Sequence, residues 1–333
     1  MNDTDFFSSN RYVFLPTKKN PKVAISVDNF NLVQNGFKIY NPFSSKAKFF
    51  KTIVIFFYLN LNFLGKIFSI KKEKSDFINY LEVLLKQPLV VSVYFATIND
   101  KIVLQLQSTD AKVLGYLKYP LNDVGLKHIE NEIQAYELFS SLQIVKPYIL
   151  SENYKGKYFL LLEELDGDIG LVEKSDLDHI LSKLQRGTTY KLSEHPRILK
   201  IKKSLFKNNM LEYIIQVEQI VSSSIQEYKL VYEHGDFTPW NFVKVKEAYI
   251  PFDFEYFVED GLEHLDIIKY YYQVGKLLEG KEGIELVKFI FTNVDIEEVE
   301  KILTIFLIKE ILRGKEENES FKFEENILKV LEK

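Results

Sequence analysis

The 333-residue chain is 46% hydrophobic, carries 43 basic and 47 acidic residues for a formal net charge of −4, and has no cysteine. The apolar share is ample for a buried core, and the well-mixed charge lacks the clustered basic face that electrostatic nucleic-acid binding needs. The missing thiols exclude disulfides, thiolate catalysis and cysteine-ligated zinc.

The five histidines (His128, His179, His195, His234 and His264) are scattered and show no HExxH or HxH spacing, so a histidine-rich metal site is not expected. The opening MNDTDFF is acidic and lacks the basic-then-apolar order of a secretory signal, which predicts a cytoplasmic protein.

In chain order, residues 22–41 place alternating apolar runs on both sides of Asn35-Gly36, the strongest short signal for a β-hairpin. A helical pattern follows over roughly 45–87, with Gly65 as a candidate break. Its apolar part, Thr52 to Gly65, is shorter than the ~20 residues of a spanning helix and contains Asn60 and Asn62, so a buried core helix is expected rather than a transmembrane segment. Docking on a membrane surface, with Lys66, Lys71 and Lys72 facing anionic lipid, is the lesser alternative. Residues 1–88 read as an N-terminal extension with its own small β element.

Three β-prone runs come next, at 90–98, 101–107 and 112–119, separated by Asn99-Asp100 and by Ser108 to Ala111. HIENEIQAYELFSSL then has apolar residues near helical spacing, and KYFLLLEEL (157–165) is a further strand ending at Asp166-Gly167-Asp168. From about 168 helical patterns dominate, interrupted only by NFVKVK and AYIPFDF. Sheet-rich first and helix-rich second predicts an α+β protein of two lobes with a cleft between them: 89–167 as a small antiparallel β lobe, 168–333 as a larger, mainly helical one.

The residues with the most chemistry lie at 233–255, EHGDFTPWNFVKVKEAYIPFDFE. NFVKVKEAYIPFDFE reads as two short strands around a turn. If that turn is centred on Glu247, Asn241 and Asp253 face each other ~5 Å apart at Cβ, where an amide oxygen and a carboxylate could share one Mg²⁺. Asp236 falls in a loop, since Gly235 and Pro239 both resist helix, and a carboxylate there could orient an attacking hydroxyl and accept its proton. His234 is expected to brace the loop through hydrogen bonds. An HGD tripeptide or a lone DFE is commonplace, and each acid taken singly reads as a turn cap or a strand-end carboxylate. The combination of HGD, Asn at +5 from the Asp and an apolar-flanked Asp at +17 is far more specific.

HGDFTPWN followed by a hairpin and FDFEYFVEDGLEHLDI resembles the aminoglycoside phosphotransferase and choline kinase family, whose catalytic loop reads HGDxxxxN and whose fold is protein-kinase-like. The resemblance implies a catalytic role for Asp236, Mg²⁺ ligation by Asn241 and Asp253, and a loop-holding role for Asp266. Glu255 follows the pattern as a supporting residue. A kinase-like small lobe also needs a lysine on its third strand and a glutamate on the next helix; KVLGYLKYP supplies Lys118 and IENEIQAYELF supplies Glu132. Main-chain groups near Glu163 to Leu165 would bind adenine.

The resemblance covers about 90–275. It departs at ATINDK, where the turn between the first two strands has no glycine, and at the 88-residue extension, a candidate surface for a protein partner. The leading expectation is an ATP- and Mg²⁺-dependent kinase of a small molecule or glycan, with a lean toward a sugar or cell-envelope precursor. The alternative is a non-catalytic, kinase-like nucleotide-binding or scaffold protein. A metal-dependent hydrolase ranks third, for want of further ligands at suitable spacing.

Overall fold

The computed structural model describes residues 6–40, 42, 45–60, 68–95 and 100–332. The chain divides into two compact units, Met1–Gly167 and Asp168–Lys333.

The first unit is built on one antiparallel sheet of eight strands. In chain order these are β1 (Arg11–Pro16), β2 (Pro21–Ser26), β3 (Ile70–Lys71), β4 (Val90–Phe95), β5 (Lys101–Gln107), β6 (Val113–Pro120), β7 (Leu150–Tyr154) and β8 (Lys157–Leu162). Their spatial order is β3-β1-β2-β4-β5-β6-β8-β7. The residues expected to carry a separate β element therefore belong to the same sheet as β4–β8: β2 pairs with β4 through Val23↔Tyr94 and Ala24↔Val93.

The hairpin expected at Asn35-Gly36 is instead the helix α1 (Phe30–Gly36), and the true hairpin is β1–β2 upstream. The Asn29 side chain caps α1 by accepting from the Leu32 N–H, and the turn buries Leu32 and Val33. Gly36 serves close packing, not a reversal. A Cβ there would come within 2.9 Å of Ile25 Cγ2 and of Ser92 Oγ.

Within the helical stretch expected at 45–87 the described residues include α2 (Ser45–Asn60) and α3 (Asp76–Leu85), with β3 between them; Gly65, the candidate break, lies outside the described residues. Ser75 caps α3 by accepting from the Ile78 N–H. Phe77, Ile78 and Leu81 of α3 are buried together with Phe6, Phe7, Tyr12, Tyr119 and Phe159, the aromatic core on this side of the sheet. α4 (Asp123–Ser141) starts at an Asn122 cap that accepts from the Gly125 N–H at 2.9 Å. β7, which the sequence reading missed, forms a hairpin with β8 around Lys155-Gly156, both at positive φ. The strand expected to reach residue 165 ends at Leu162.

The second unit contains more strand than the periodicity predicted. β9 (Asp168–Ile169), β12 (Phe242–Val245) and β13 (Ala248–Pro251) form one small sheet, and β10 (Gln185–Lys191), β11 (Glu227–Glu233) and β14 (Val258–Leu262) form another. Its helices are α5 (Lys174–Lys183), α6 (Pro196–Lys207), α7 (Leu211–Ser223), α8 (Leu265–Gln273), α9 (Gly283–Asn293), α10 (Val299–Glu317) and α11 (Lys322–Leu331). α10 is the central helix of the core: Ile302, Leu303, Ile305, Phe306, Leu307, Ile308 and Ile311 are all fully buried. A helix apolar on every side needs neighbours on every side, and this one also carries Lys309 and Glu310 into the interior.

Candidate active site

The HGD loop follows directly from β11, whose last residue is Glu233. Its backbone is pinned by one buried carboxylate: the N–H groups of His234 and Gly235 donate to Asp266 Oδ2 and Oδ1 at 2.8 and 3.0 Å. Asp266 sits in the first turn of α8. Burial, with the charge of Glu233 nearby, raises its carboxyl to about 7 against the lowering effect of those two N–H donors. Gly235 has φ +80°, and a Cβ there would lie 2.2 Å from the carbonyl oxygen of Tyr256. Only glycine fits this turn.

His234 is buried against Phe237, Phe242 and Phe254, with ring centroids 5.7, 6.5 and 4.8 Å away. Burial lowers its pKa and keeps it neutral. Nε2–H donates to the Phe252 carbonyl at 3.1 Å, and Nδ1 accepts the Asp236 N–H at 3.4 Å. The ring ties the loop to the chain that leaves the β12–β13 hairpin, which accounts for the phenylalanines around this motif.

Asn241 closes the loop from the other end. Its Nδ2 donates to the Asp236 carbonyl at 2.8 Å and to Asp236 Oδ2 at 2.9 Å. With the amide nitrogen committed, Oδ1 is left as the acceptor available to a cation.

The hairpin register differs from the expected one. Val245 pairs with Ala248 and Phe242 with Pro251, so the turn is centred between Lys246 and Glu247. Asn241 therefore stands opposite Phe252, whose N–H donates to the Asn241 carbonyl at 3.0 Å, and Asp253 is one residue beyond. Asp253 has φ +67°, a left-handed conformation that a short carboxylate side chain tolerates better than most. It lies close enough to His234 to act on its protonation. Glu255 follows in a half-buried turn.

A resident Mg²⁺ would find one amide oxygen, on Asn241, and one carboxylate, on Asp253. Among the described residues no group of three or more His, Asp or Glu side chains is arranged to hold a metal ion. That donor set is incomplete for a protein-only site but fits an ion that keeps waters and takes its remaining oxygens from substrate phosphates.

In the first unit Lys118 lies on β6, an interior strand of the sheet, opposite Val103 of β5 and Leu160 of β8. Its ammonium meets both carboxylate oxygens of Glu132, on α4, at 2.7 and 2.8 Å, and both residues are buried. Glu163 and Leu165 follow β8 in irregular chain, with Glu163 paired to Lys146 at 2.8 Å on the surface. Thr97 and Asn99, in the glycine-free turn, lie outside the described residues. Asp100, at its end, is bound to His128 Nδ1 of α4 at 3.0 Å.

No family model matches the chain, and no curated protein matches it. Solved structures do. The chain is similar to an ADP-bound aminoglycoside phosphotransferase, with 16% identity over 76% of this chain and 95% of that one and a TM-score of 0.47. It is similar to a type I macrolide 2′-phosphotransferase at 10% identity, over 76% and 94%, with a TM-score of 0.47. A choline kinase from Cryptosporidium parvum matches at 14% identity over 73% and 87%, with a TM-score of 0.42.

Sequence reasoning missed the charges beneath Asp236. The ammonium of Lys269, on α8, lies 3.3 Å from Asp236 Oδ1 and 2.7 Å from Glu310 Oε2. Glu310 is also held by Arg313 at 2.6 Å. Burial alone would push the Glu310 carboxyl up, but Arg313, Lys269 and Lys309 outweigh it and hold it well below the ordinary range. Lys309 in turn meets Glu233 at 2.9 Å, and Arg197 meets the same carboxylate from α6 at 2.9 Å. A continuous chain of alternating charges thus runs from Arg197 to Asp236. The only local signal was a lysine three residues after Asp266 in an otherwise apolar helix, HLDIIKYY.

Proposed function

We propose that the protein is a phosphotransferase that moves the γ-phosphoryl group of ATP to a hydroxyl of a small molecule or glycan. The observation that carries this reading is the state of Asp236. Its loop is pinned by Asp266, its carboxylate is oriented by Asn241 and Lys269, and 21% of its side chain still reaches solvent. A carboxylate held this way can accept a hydrogen bond from an acceptor hydroxyl, align the oxygen on the phosphorus and take up the proton as the P–O bond forms. His234, neutral and engaged at both nitrogens, is a positioning group.

Lys118, fixed by Glu132, has the chemistry to hold the α- and β-phosphates of the donor. Asn241 Oδ1 and Asp253 would hold Mg²⁺, which when bound supplies compensation for the charge of the β- and γ-phosphates. A sugar or cell-envelope precursor remains the favoured acceptor class by analogy with the breadth of chemistry such folds host.

Calorimetric titration of ATP, with and without Mg²⁺, tests the reading on the wild type, Asp253→Ala and Asp236→Asn. Mg²⁺-dependent binding that is lost in Asp253→Ala and kept in Asp236→Asn is the expected result. No binding of ATP by the wild type, with or without Mg²⁺, overturns it.

A further inference from the structure

Helix α2 has apolar side chains on two opposite faces. Val54, Ile55 and Tyr58, at i, i+1 and i+4, pack against the cluster of Val23, Ile25, Val33 and Phe37 on the sheet and α1. The opposite face presents Phe49, Phe50, Phe56 and Phe57, which are 68, 55, 60 and 48% exposed, with the last two in edge contact at 6.2 Å. Position 56 follows 49 by two helical turns and 57 follows 50, so the four rings form one stripe. Scattered apolar residues on a surface need no explanation, whereas four phenylalanines on one helix face mark a surface that meets something.

The surrounding charge says what. From Asn29 to Lys72 the chain has seven lysines (38, 46, 48, 51, 66, 71 and 72) and no aspartate or glutamate, although the whole chain is net negative at −4. Lys38 is taken up by Glu164 at 2.9 Å, and Lys72 lies over the Phe7 and Phe14 rings. Lys48 and Lys71 are exposed. Lysines without intervening acids beside exposed aromatic rings match an anionic bilayer, which attracts each nearby lysine by about fivefold in partitioning and receives aromatic rings at the level of its headgroups. The helix cannot cross that bilayer. Its 16 residues span about 24 Å, less than a hydrocarbon core of about 30 Å, and no helix among the described residues is long and apolar enough to span.

We propose that α2 docks the protein on an anionic phospholipid surface, inserting Phe49, Phe50, Phe56 and Phe57 among the headgroups while the neighbouring lysines meet lipid phosphates. This goes beyond the phosphotransferase reading and does not depend on it. It would bring the protein to substrates that are themselves held at a membrane.

The test is co-sedimentation of the full chain with vesicles of phosphatidylcholine alone and of phosphatidylcholine mixed with phosphatidylglycerol. The wild type is expected to pellet with the mixed vesicles and to stay largely in solution with the neutral ones. Phe49→Ser/Phe56→Ser/Phe57→Ser is expected to weaken binding by about tenfold or more, with its melting temperature held because the substituted face is exposed. Lys48→Glu/Lys71→Glu, which alters only exposed side chains, is expected to weaken it to a similar degree, and added salt to do the same. The proposal is overturned if the wild type ignores the anionic vesicles, or if both variants bind as well as it does. It is equally overturned if the wild type is an oligomer in solution that the phenylalanine substitutions dissociate, for then a second copy covers the face.

Discussion

Lys269 neutralises two carboxylates at once, Asp236 at 3.3 Å and Glu310 at 2.7 Å, from a side chain that is only 1% exposed. An ammonium buried this deeply is tolerable only while its partners are charged and near. Replacing it with the similarly shaped Met leaves Glu310 to Arg313 and Lys309 and removes the ammonium that lies 3.3 Å from Asp236. Lys269→Met is expected to destabilise the fold by about 3 kcal/mol, read from urea unfolding. A loss below about 1 kcal/mol would mean that Lys269 does not sustain the buried charges.

Gly235→Ala tests the loop directly. The new methyl group meets the Tyr256 carbonyl, and φ +80° suits no alanine. We expect a stability loss of at least about 2 kcal/mol, since strain and clash add. Thermal unfolding of the variant reads the outcome, and a melting temperature equal to that of the wild type refutes the assigned turn.

The pH response follows from Glu233. Burial disfavours its charge, but Arg197 and Lys309 outweigh that and hold the carboxyl at about 2, below its ordinary 4.5. A depressed carboxyl contributes stability that is present above the unfolded value and lost as pH falls through the folded one. Unfolding free energy is therefore expected to drop by on the order of 3 kcal/mol between pH 5 and pH 2 from this group. Asp266 is raised to about 7, so as pH falls from 5 toward its unfolded value of 3.8 it adds stability and offsets part of that loss. In Glu233→Gln the acid-side slope should flatten, while stability at pH 7 falls by about 3 kcal/mol or more because Arg197 and Lys309 lose their partner. An unchanged acid slope would remove Glu233 from this role.

The pair in the sheet unit makes a separate prediction. Glu132→Ala removes the carboxylate that the buried Lys118 ammonium meets at 2.7 Å and is expected to cost about 3 kcal/mol. Phosphate can take the place of the lost carboxylate, so MgATP is expected to raise the melting temperature of Glu132→Ala more than that of Lys118→Ala. Equal shifts in the two variants would separate Lys118 from the nucleotide.

What the sequence disclosed and what it hid follow one physical division. Residues whose partners are near in the chain were legible: His234, Asp236 and Asn241 are joined by hydrogen bonds spanning two to five residues. β5, β6 and α4 were legible as well, because period and propensity agree there. Asn35-Gly36 misled because the local turn preference lost to burial of Leu32 and Val33 and to the contact of Gly36 with Ile25 and Ser92. β10, with its mostly exposed QRGTTYK, has no alternating pattern to find and is fixed by pairing with β11. The hairpin register was off by half a step because Lys246-Glu247 carries no turn signature. The charges behind Asp236 come from residues 197, 269, 309, 310 and 313, and no local window contains them all.

The eight-stranded sheet has one more consequence. β2 covers the edge of β4, and β1 and β3 extend the sheet outward from there. A version of the protein beginning near residue 89 would leave β4 with a bare row of backbone donors and acceptors along Val93 and Tyr94, beside core residues stripped of Phe6, Phe7 and Phe77. Such an edge is a template for pairing with other chains. The first 88 residues therefore act as a built-in guard against aggregation, and a shortened protein is expected to be recovered as insoluble material rather than as a smaller working core.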